Sequence, residues 1–169
     1  GLVALVASPN DRYLAFTSAP PGDRQLYKGL WVADMEAGQV HALHEGGIVA
    51  YFWKPDASGL LVVTRGRGPA QFQWNELDVS SGDLRPLCGF FPTLDQKFLL
   101  HFFEQFAVSH SLLSADSRRL TFASHPDPNQ GGSDTSAHIC VVDLSLDNPM
   151  MERVAPGEFS VYSPQRLPV

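Results

Sequence analysis

Positive charge is scarce in this chain. Among its 169 residues, 12 Lys and Arg stand against 18 Asp and Glu, which gives a formal net charge of −6. Such an acidic chain is repelled by phosphate backbones and anionic membrane surfaces, so we expect no nucleic-acid partner. Apolar runs such as 60–63 and 98–100 fall far short of the roughly 18 residues that a membrane-spanning helix requires. We therefore expect no membrane span.

Cysteine is nearly absent, with Cys88 and Cys140 alone. Their spacing matches neither a metal site nor a dense disulfide framework. Cys140 falls in the apolar run HICVVDL, where a free thiol behaves as a small hydrophobe, so core packing is favoured over a disulfide. The chain opens on Gly1 without an initiator Met or a signal region, so we expect a processed form or a domain of a longer protein.

Motifs of familiar catalytic and phosphate-binding sites are also missing. The sequence contains no Gly-x-Ser-x-Gly, no Gly-x-x-x-x-Gly-Lys-Ser/Thr and no Gly-x-Gly-x-x-Gly. The stretch 131–133 reads Gly-Gly-Ser but lies in a polar connection, where flexibility explains it better than catalysis. We therefore predict no catalytic residue, no cofactor and no metal in this chain.

Short strands are abundant instead. Fourteen Gly and thirteen Pro punctuate the chain, which leaves little room for long helices. Between them lie five-residue runs rich in β-branched and aromatic residues, such as YLAFT, LLVVT, RLTFA and ICVVD. The sequence therefore predicts an all-β fold.

A repeated phrase organises these strands. SPNDRYLAFTS begins at Ser8, KPDASGLLVVT at Lys54 and SADSRRLTFAS at Ser114. Each copy follows one strand-like run and precedes two more, so each unit supplies four strands. Periods of 40 to 50 residues are typical of propellers and solenoids, and four antiparallel strands make one propeller blade.

The residues between the strands have the chemistry of tight turns. Pro fixes φ in the repeated phrase, and Asn or Asp bonds to its own backbone there. Asp34, Asp78 and Asp143 end the third strand of each unit. Gly38 and Gly82 then tolerate the positive φ of the turn into the fourth strand. The repetition therefore predicts structural turns rather than a catalytic fingerprint.

SPNDRYLAF followed by LWVADMEAGQVHAL resembles the Pro-Asp repeat of TolB-like β-propellers. That repeat reads Ser-Pro-Asp-Gly, then a strand, then a strand that ends on Asp. This sequence departs from it where Ala115 replaces Pro, and where the turn Gly becomes Asp11, Ser58 or Ser117. The resemblance spans most of the chain and implies a noncatalytic protein outside the cytoplasm, although a cytoplasmic location stays open.

The resemblance implies about three blades and an extra strand. The division is blade 1 at about 1–46, blade 2 at 47–89, an apolar insertion at 90–107, blade 3 at 108–156 and an opening strand at 157–169. Because propellers of this family close with six or more blades, an open arc would expose strand edges. We expect either a second chain or further blades of a longer protein to complete the ring.

The apolar insertion interrupts the repeat. Pro9 and Pro55 are 46 positions apart, whereas Pro55 and Ala115 are 60 apart. The insertion is either an extra strand or helical turn packed on the blades, which is favoured, or a partner surface. The partner candidates are Phe102, Phe103 and Phe106. A metal site at His101, Glu104 and His110 is disfavoured, because the three follow no familiar ligand spacing.

Binding residues are expected in the loops between second and third strands, because propellers usually bind ligands on that face. These loops are the most polar connections of the chain, and together they predict a rim of mixed charge. The rim candidates are Asp23, Arg24, Arg65, Arg67, His125, Asp127 and Asp134. Trp31, Trp53 and Trp74 fall in strands and are expected to pack in the core or between blades rather than to bind a ligand.

The favoured function is a noncatalytic platform that binds a protein or a small ligand. The alternative is the propeller domain of a larger prolyl-oligopeptidase-type peptidase, since such enzymes carry related repeats beside a separate hydrolase domain. A hydrolase that uses rim carboxylates is a third class, and spacing alone does not pair its acids.

Overall fold

The computed structural model describes residues 2–18, 27–68, 70–129 and 135–162. Two short helices lie between β8 and β9, and the other regular elements of the described residues are antiparallel strands, so the predicted all-β class is confirmed. The strands and helices in chain order are β1 Leu2–Ala7, β2 Tyr13–Ser18, β3 Tyr27–Asp34, β4 Gln39–Ile48, β5 Ala50–Trp53, β6 Gly59–Arg65, β7 Phe72–Asp78, β8 Leu84–Pro92, α1 Leu94–His101, α2 Phe103–Phe106, β9 Arg119–His125, β10 His138–Asp143 and β11 Met151–Pro156.

The strands pair in sequence order and form three units. The first unit is the sheet β1 to β4, the second is β5 to β8, and the third contains β9 to β11. The second and third units are joined, because β8 pairs with β9 where Phe91 lies opposite His125 and Pro92 opposite Ser124. β8 therefore extends three residues past the expected end of blade 2, into the segment read as an insertion.

The repeated phrase builds a turn held by its own side chains. Ser8 Oγ donates to Asn10 Oδ1 over 2.7 Å, and the Tyr13 N–H donates to Ser8 Oγ over 2.9 Å. In the third unit, Ser114 Oγ donates to Asp116 Oδ1 over 2.6 Å in the same way. The phrase is therefore a structural turn, as predicted, and its polar side chains bond to one another.

Each of these turns contains one residue with left-handed backbone. The φ values are 57° at Asp11, 57° at Ala57 and 59° at Ser117. The sequence-based placement at Ser58 was wrong, because Ala57 is the second residue after its proline, as Asp11 is after Pro9. Non-glycine residues at positive φ carry a strain of roughly 1–2 kcal/mol, which the bonds of the turn offset.

The aspartates that end the third strands begin the next turn. Asp34, Asp78 and Asp143 each accept a backbone N–H from two residues later, over 3.0, 2.8 and 2.9 Å. Hydrogen bonds from neighbouring side chains and backbone lower the pKa of all three carboxyls. Gly38 and Gly82 follow with φ of 66° and 75°, which confirms the predicted turn glycines.

The first strand that the repeat predicts for the third unit is replaced by two isolated bridges, at Ser111 and Leu113. His110 donates its N–H to the Phe106 carbonyl at the end of the helical segment, over 2.9 Å, so the helical segment reaches into the region of that expected strand. Isolated bridges follow, and one of them joins Ser111 to Tyr162. The chain that was expected to open a further blade thus lies against the third unit at Tyr162, and residues 163–169 lie outside the described part.

The first and second units bind each other through β5. Tyr51 Oη donates to the carbonyls of Ala4 and Ala15, the latter over 2.9 Å. Trp53 Nε1 donates to the Val6 carbonyl over 2.9 Å. Tyr51 is fully buried, and burial raises the pKa of its phenol. Two aromatic donors of one sheet therefore satisfy backbone acceptors of the next.

The second and third units meet through aromatic rings and an arginine. Trp74 stacks on Phe90 at 5.3 Å between ring centroids and lies 5.8 Å from Phe122. Arg85 Nη2 reaches across to the Leu144 carbonyl over 2.9 Å. The core packing predicted for Trp74 is confirmed, because it is fully buried.

The two cysteines are free thiols. Cys140 is 1% exposed, which confirms the predicted core packing, and Cys88 is half-buried. Burial raises the pKa of the Cys140 thiol to about 11, so it stays protonated at neutral pH.

Removal of the Tyr51 hydroxyl tests the contact between the first two units. We expect Tyr51→Phe to lower the free energy of unfolding by about 1–3 kcal/mol, because buried carbonyls lose their donor. Tyr13→Phe is the matched control, since the Tyr13 ring stacks on Trp53 and its hydroxyl has no described partner. Urea unfolding measures both variants, and equal losses would contradict the assigned role of Tyr51.

Acid sensitivity is predicted at Glu76, which Lys54 contacts at 2.8 Å and Arg85 at 2.6 Å. Burial raises the pKa of Glu76, but the hydrogen bonds from these two cations outweigh it, and the net pKa is lowered. A lowered folded-state pKa stabilises the fold above the unfolded value of about 4.3, and this stability is lost as pH falls through the folded value.

We therefore expect the stability of the wild-type chain to fall below about pH 5, and Glu76→Gln to flatten this decline. Glu36→Gln is the control, because the Glu36 side chain is 71% exposed and such surface pairs contribute little. Unfolding free energies across the acid range measure the effect. An unchanged slope in Glu76→Gln would show that other carboxyls carry the acid sensitivity.

Candidate functional site

Helix α1 is fixed to the sheets along one side. Thr93 caps it by accepting the Gln96 N–H over 3.1 Å, and the Thr93 hydroxyl donates to the Glu158 carbonyl over 2.6 Å. The buried Gln96 side chain accepts the Ala123 N–H of β9 over 3.1 Å. Leu99, one turn along the same side, is 2% exposed. The opposite side of α1 is therefore left to face outward.

A cleft of about 610 Å³ opens on that outward side, and we call it the α1 cleft. Its lining is mainly apolar. Two of the apolar lining side chains are unusually exposed to solvent, Leu94 by 81% and Phe98 by 58%. The lining from the helix is Leu94, Asp95, Lys97, Phe98 and His101, followed by Phe102 after its end. The strands supply Tyr27, Arg65 and Phe72, and the bend between β4 and β5 supplies Val49.

The described lining of the α1 cleft carries more cations than carboxylates, in contrast to the acidic chain. Among the described lining residues, Arg65 and Lys97 supply two cations and Asp95 supplies one carboxylate. The Arg65 guanidinium lies over the Phe72 ring, 5.5 Å from its centroid, which combines a cation with an aromatic wall. Burial raises the pKa of Tyr27, so its phenol stays neutral at this site.

A ladder of aromatic rings extends from the cleft along the helical segment. Phe98 lies 4.8 Å from Phe102 and 6.3 Å from Phe106 between ring centroids. His110 continues the series at 4.9 Å from Phe106 and 6.1 Å from Phe159. A second cleft of about 260 Å³ lies along this ladder. Phe98 lines both clefts, so it is the central exposed ring of the surface.

Two residues of the predicted rim lie at one edge of the sheets. Arg65 ends β6 and lines the α1 cleft, and His125 ends β9 and is exposed. Arg65 pairs with Phe72, Phe72 pairs with Phe90, and the next residue, Phe91, pairs with His125. This register places Arg65 and His125 at the same edge of the sheet. Three strand spacings separate them, about 14 Å, so they do not form one contact set.

The other rim candidates that the structure describes are Asp127 and Arg67, and neither lines the α1 cleft. The Asp127 carboxylate is hydrogen-bonded within its own loop. Its Oδ1 accepts the backbone N–H and the side-chain amide of Asn129 over 2.9 and 3.1 Å. Arg67 is exposed in the loop after β6 and does not line the α1 cleft. The candidates outside the described residues are Asp23, Arg24 and Asp134, as is the stretch 131–133.

The partner-surface prediction needs one correction, at Phe103. This ring is fully buried and lies 4.7 Å from Tyr51 and 6.0 Å from Phe52 between centroids, because α2 packs on β1 and β5. It therefore cannot present a surface, whereas Phe102 and Phe106 remain half-buried. Sequence reasoning missed Phe98 as the exposed ring.

The histidines of the helical segment contact rings and a hydroxyl. His101 lies edge-on to Phe102 at 4.6 Å, and Ser109 Oγ lies 2.7 Å from His110 Nδ1. Within the described ranges, no group of three His, Cys, Asp or Glu side chains is arranged to hold a metal ion. Neither described helix reaches the length and apolarity needed to cross a membrane.

Comparison with known proteins finds likeness in fold only. No family model matches the chain, and no curated protein matches it. An oligogalacturonate lyase in complex with manganese superposes with a TM-score of 0.58 and 18% identity, over 92% of this chain and 36% of that one. The β-propeller domain of the trilobed protease from Pyrococcus furiosus superposes with a TM-score of 0.56 and 16% identity, over 92% and 43%.

TolB from Acinetobacter baumannii is a more distant match, with a TM-score of 0.45 and 15% identity over 87% of this chain and 29% of that one. The chain thus spans less than half the length of the solved structures that it resembles. At these identities the likeness carries the fold and no activity. The chain has a partial β-propeller fold, as its repeats predicted.

Proposed function

We propose that this chain is a noncatalytic part of a β-propeller, and that it binds a protein or a small ligand at the α1 cleft. The observation that carries the proposal is the outward side of α1, where Leu94 and Phe98 expose large apolar surfaces next to Arg65 and Lys97. A concave surface with exposed apolar side chains beside a few charged ones is more typical of a binding site than of an ordinary solvated helix face.

The energetics of the cleft favour an occupant. Burying a Leu or Phe side chain contributes roughly 1.5–3 kcal/mol each, and that gain stays unused at Leu94 and Phe98 in the free chain. The other side of α1 is already fixed by Thr93 and Gln96, so the cleft is formed before a ligand arrives. A preformed apolar site loses little conformational entropy on binding.

The positive charge at the cleft selects among ligands. Lys97 and Arg65 favour an apolar or aromatic group that carries an anion, such as a carboxylate at the end of a peptide. The aromatic sulfonate 8-anilinonaphthalene-1-sulfonate has this chemistry and is fluorescent, so it serves as a probe of the site.

We expect the probe to bind the wild-type chain and to bind Phe98→Ala about tenfold more weakly, because the central ring of the cleft is removed. Leu146→Ala is the matched control, since Leu146 is 52% exposed and lies away from the cleft. Fluorescence titration measures both dissociation constants. Equal affinity of Phe98→Ala and the wild type would place the probe elsewhere and contradict the proposal.

The salt dependence of probe binding distinguishes the contribution of the charged residues from that of the apolar residues. Added salt weakens probe binding to the wild-type chain by screening Lys97 and Arg65. Lys97→Gln is expected to bind more weakly at low salt and to lose less affinity as salt is added. Lys28→Gln, which changes a lysine of β3 outside the cleft lining, is the control. The same salt dependence in the wild type, Lys97→Gln and Lys28→Gln would show that Lys97 does not contribute to probe binding.

A peptidase propeller is the second candidate, and the likeness to the trilobed protease propeller favours it. In that case the cleft would sort peptide substrates for a hydrolase domain elsewhere in a longer protein. The sequence on either side of this chain in a longer protein would discriminate between the binding platform and the peptidase propeller. A Gly-x-Ser-x-Gly between a strand and a helix there supports the peptidase, and a flank without one supports the binding platform.

A further inference from the structure

The second cleft, of about 260 Å³, is lined mainly by aromatic rings. Phe98 and Phe106 belong to the two helices, whereas His110 follows α2 and Phe159 follows β11. Phe98 is 58% and Phe159 38% exposed, so two of the rings are open to solvent. Leu99, which is 2% exposed, completes the apolar lining. The rings therefore surround a small space that is accessible from outside.

The four rings are inclined to one another rather than stacked flat. The angle between ring planes is 51° for Phe98 and Phe106, 74° for Phe106 and His110, and 64° for His110 and Phe159. The corresponding distances between centroids are 6.3, 4.9 and 6.1 Å. A cation between neighbouring rings therefore lies within the roughly 6 Å of each centroid over which cation–π attraction acts.

The electrostatics of the second cleft also favour a cation. Its described lining carries one carboxylate, Asp95, and neither a Lys nor an Arg. Among the described residues, the Asp95 side chain has no hydrogen-bond or ion-pair partner. The faces of aromatic rings add negative potential. The positive end of the α1 dipole opposes a cation here, and the Asp95 carboxylate in the first turn offsets it.

The α1 cleft next to it has the opposite preference. Lys97 and Arg65 line the α1 cleft and not the second cleft, whereas Phe98 and Asp95 line both. The two clefts therefore share one ring and one carboxylate but differ in their cations. A positively charged ligand is repelled on the Lys97 side of α1 and attracted on the Phe106 side.

Hydrogen bonding distinguishes among cations. A primary ammonium group brings three donors, and each requires an acceptor when it leaves water. The described polar lining offers the Asp95 carboxylate and the His110 ring, and His110 Nδ1 already lies 2.7 Å from Ser109 Oγ. A fully methylated ammonium group has no N–H to satisfy, so it loses no hydrogen bond among the rings.

We infer that the second cleft binds a small organic cation with a methylated ammonium group. The methyl groups contact the rings of Phe98, Phe106 and Phe159, and the charge lies near the Asp95 carboxylate. A volume of about 260 Å³ is smaller than the roughly 300–1,000 Å³ of pockets for drug-sized ligands, so it suits one such head group.

Choline and its neutral isostere 3,3-dimethylbutan-1-ol test the inference on the wild-type chain. The two molecules have similar shapes, and choline alone carries a positive charge. We expect choline to bind about tenfold more tightly. Its methyl protons are expected to shift upfield, because they lie over ring faces. An NMR titration that follows the methyl protons measures both dissociation constants. Equal affinities, or no binding of choline, overturn the inference.

Removal of the carboxylate tests its contribution. Asp95→Asn is expected to weaken choline binding about threefold and to leave the binding of the neutral isostere unchanged, because the charge attraction alone is lost. Asp147→Asn is the matched control, since Asp147 is exposed and lines neither cleft.

Removal of a ring tests the cation–π contact. Phe106→Leu keeps an apolar side chain and is expected to weaken choline binding about fivefold. Phe102→Leu is the control, because Phe102 is also half-buried but lines the α1 cleft and not the second cleft. If neither Asp95→Asn nor Phe106→Leu weakens choline binding, choline binds elsewhere and the inference is wrong.

The inference is independent of the proposed function, because the sulfonate probe and choline report on different clefts. Lys97→Gln is expected to weaken binding of the sulfonate probe and not of choline. Weaker choline binding in that variant would show one shared site and overturn the inference. Arg166 lies outside the described residues. Tighter choline binding in Arg166→Gln would assign the second cleft to this chain's own arginine and overturn the inference of a separate ligand.

Discussion

The packing of each antiparallel unit on the next is the constraint on which this structure depends. Each sheet is too small to bury a core by itself, so each unit relies on its neighbours. Tyr51 and Trp53 attach the second unit to the first by bonding to backbone carbonyls. Trp74 and Phe122 attach the third unit by ring contacts. Within the described residues, the second unit therefore contacts a neighbouring unit on each of its faces.

The α1 cleft follows from the same packing. The helical segment connects β8 to β9. Its buried side chains Gln96, Leu99 and Phe103 hold it against the units. Residues that anchor a short helix occupy one side of it, so Leu94 and Phe98 remain on the other. The segment that interrupts the repeat therefore supplies the least repetitive surface of the molecule, while the repeated turns hold the sheets in register.

The strands, their order and their turns were predictable from sequence, because local chemistry determines them: Asp34 and Asp78 bond to the backbone that follows, and Gly38 permits positive φ. The position at Ser58 was misassigned because the turn was not counted from its proline. The cleft was not predicted, since it depends on which side of α1 meets the sheets. The spacing of Leu94, Phe98 and His101 on one side of a helix is the signal that could have located it.

Amide hydrogen exchange tests the central claim, that the second unit is held between its neighbours, most directly. β6 is buried over five of its seven residues, whereas β11 is mostly exposed at the margin of the third unit. The account predicts that the amides of β6 and β7 exchange slowest in the chain and that those of β11 exchange far faster. Equal protection of β6 and β11 would contradict stacking about the second unit.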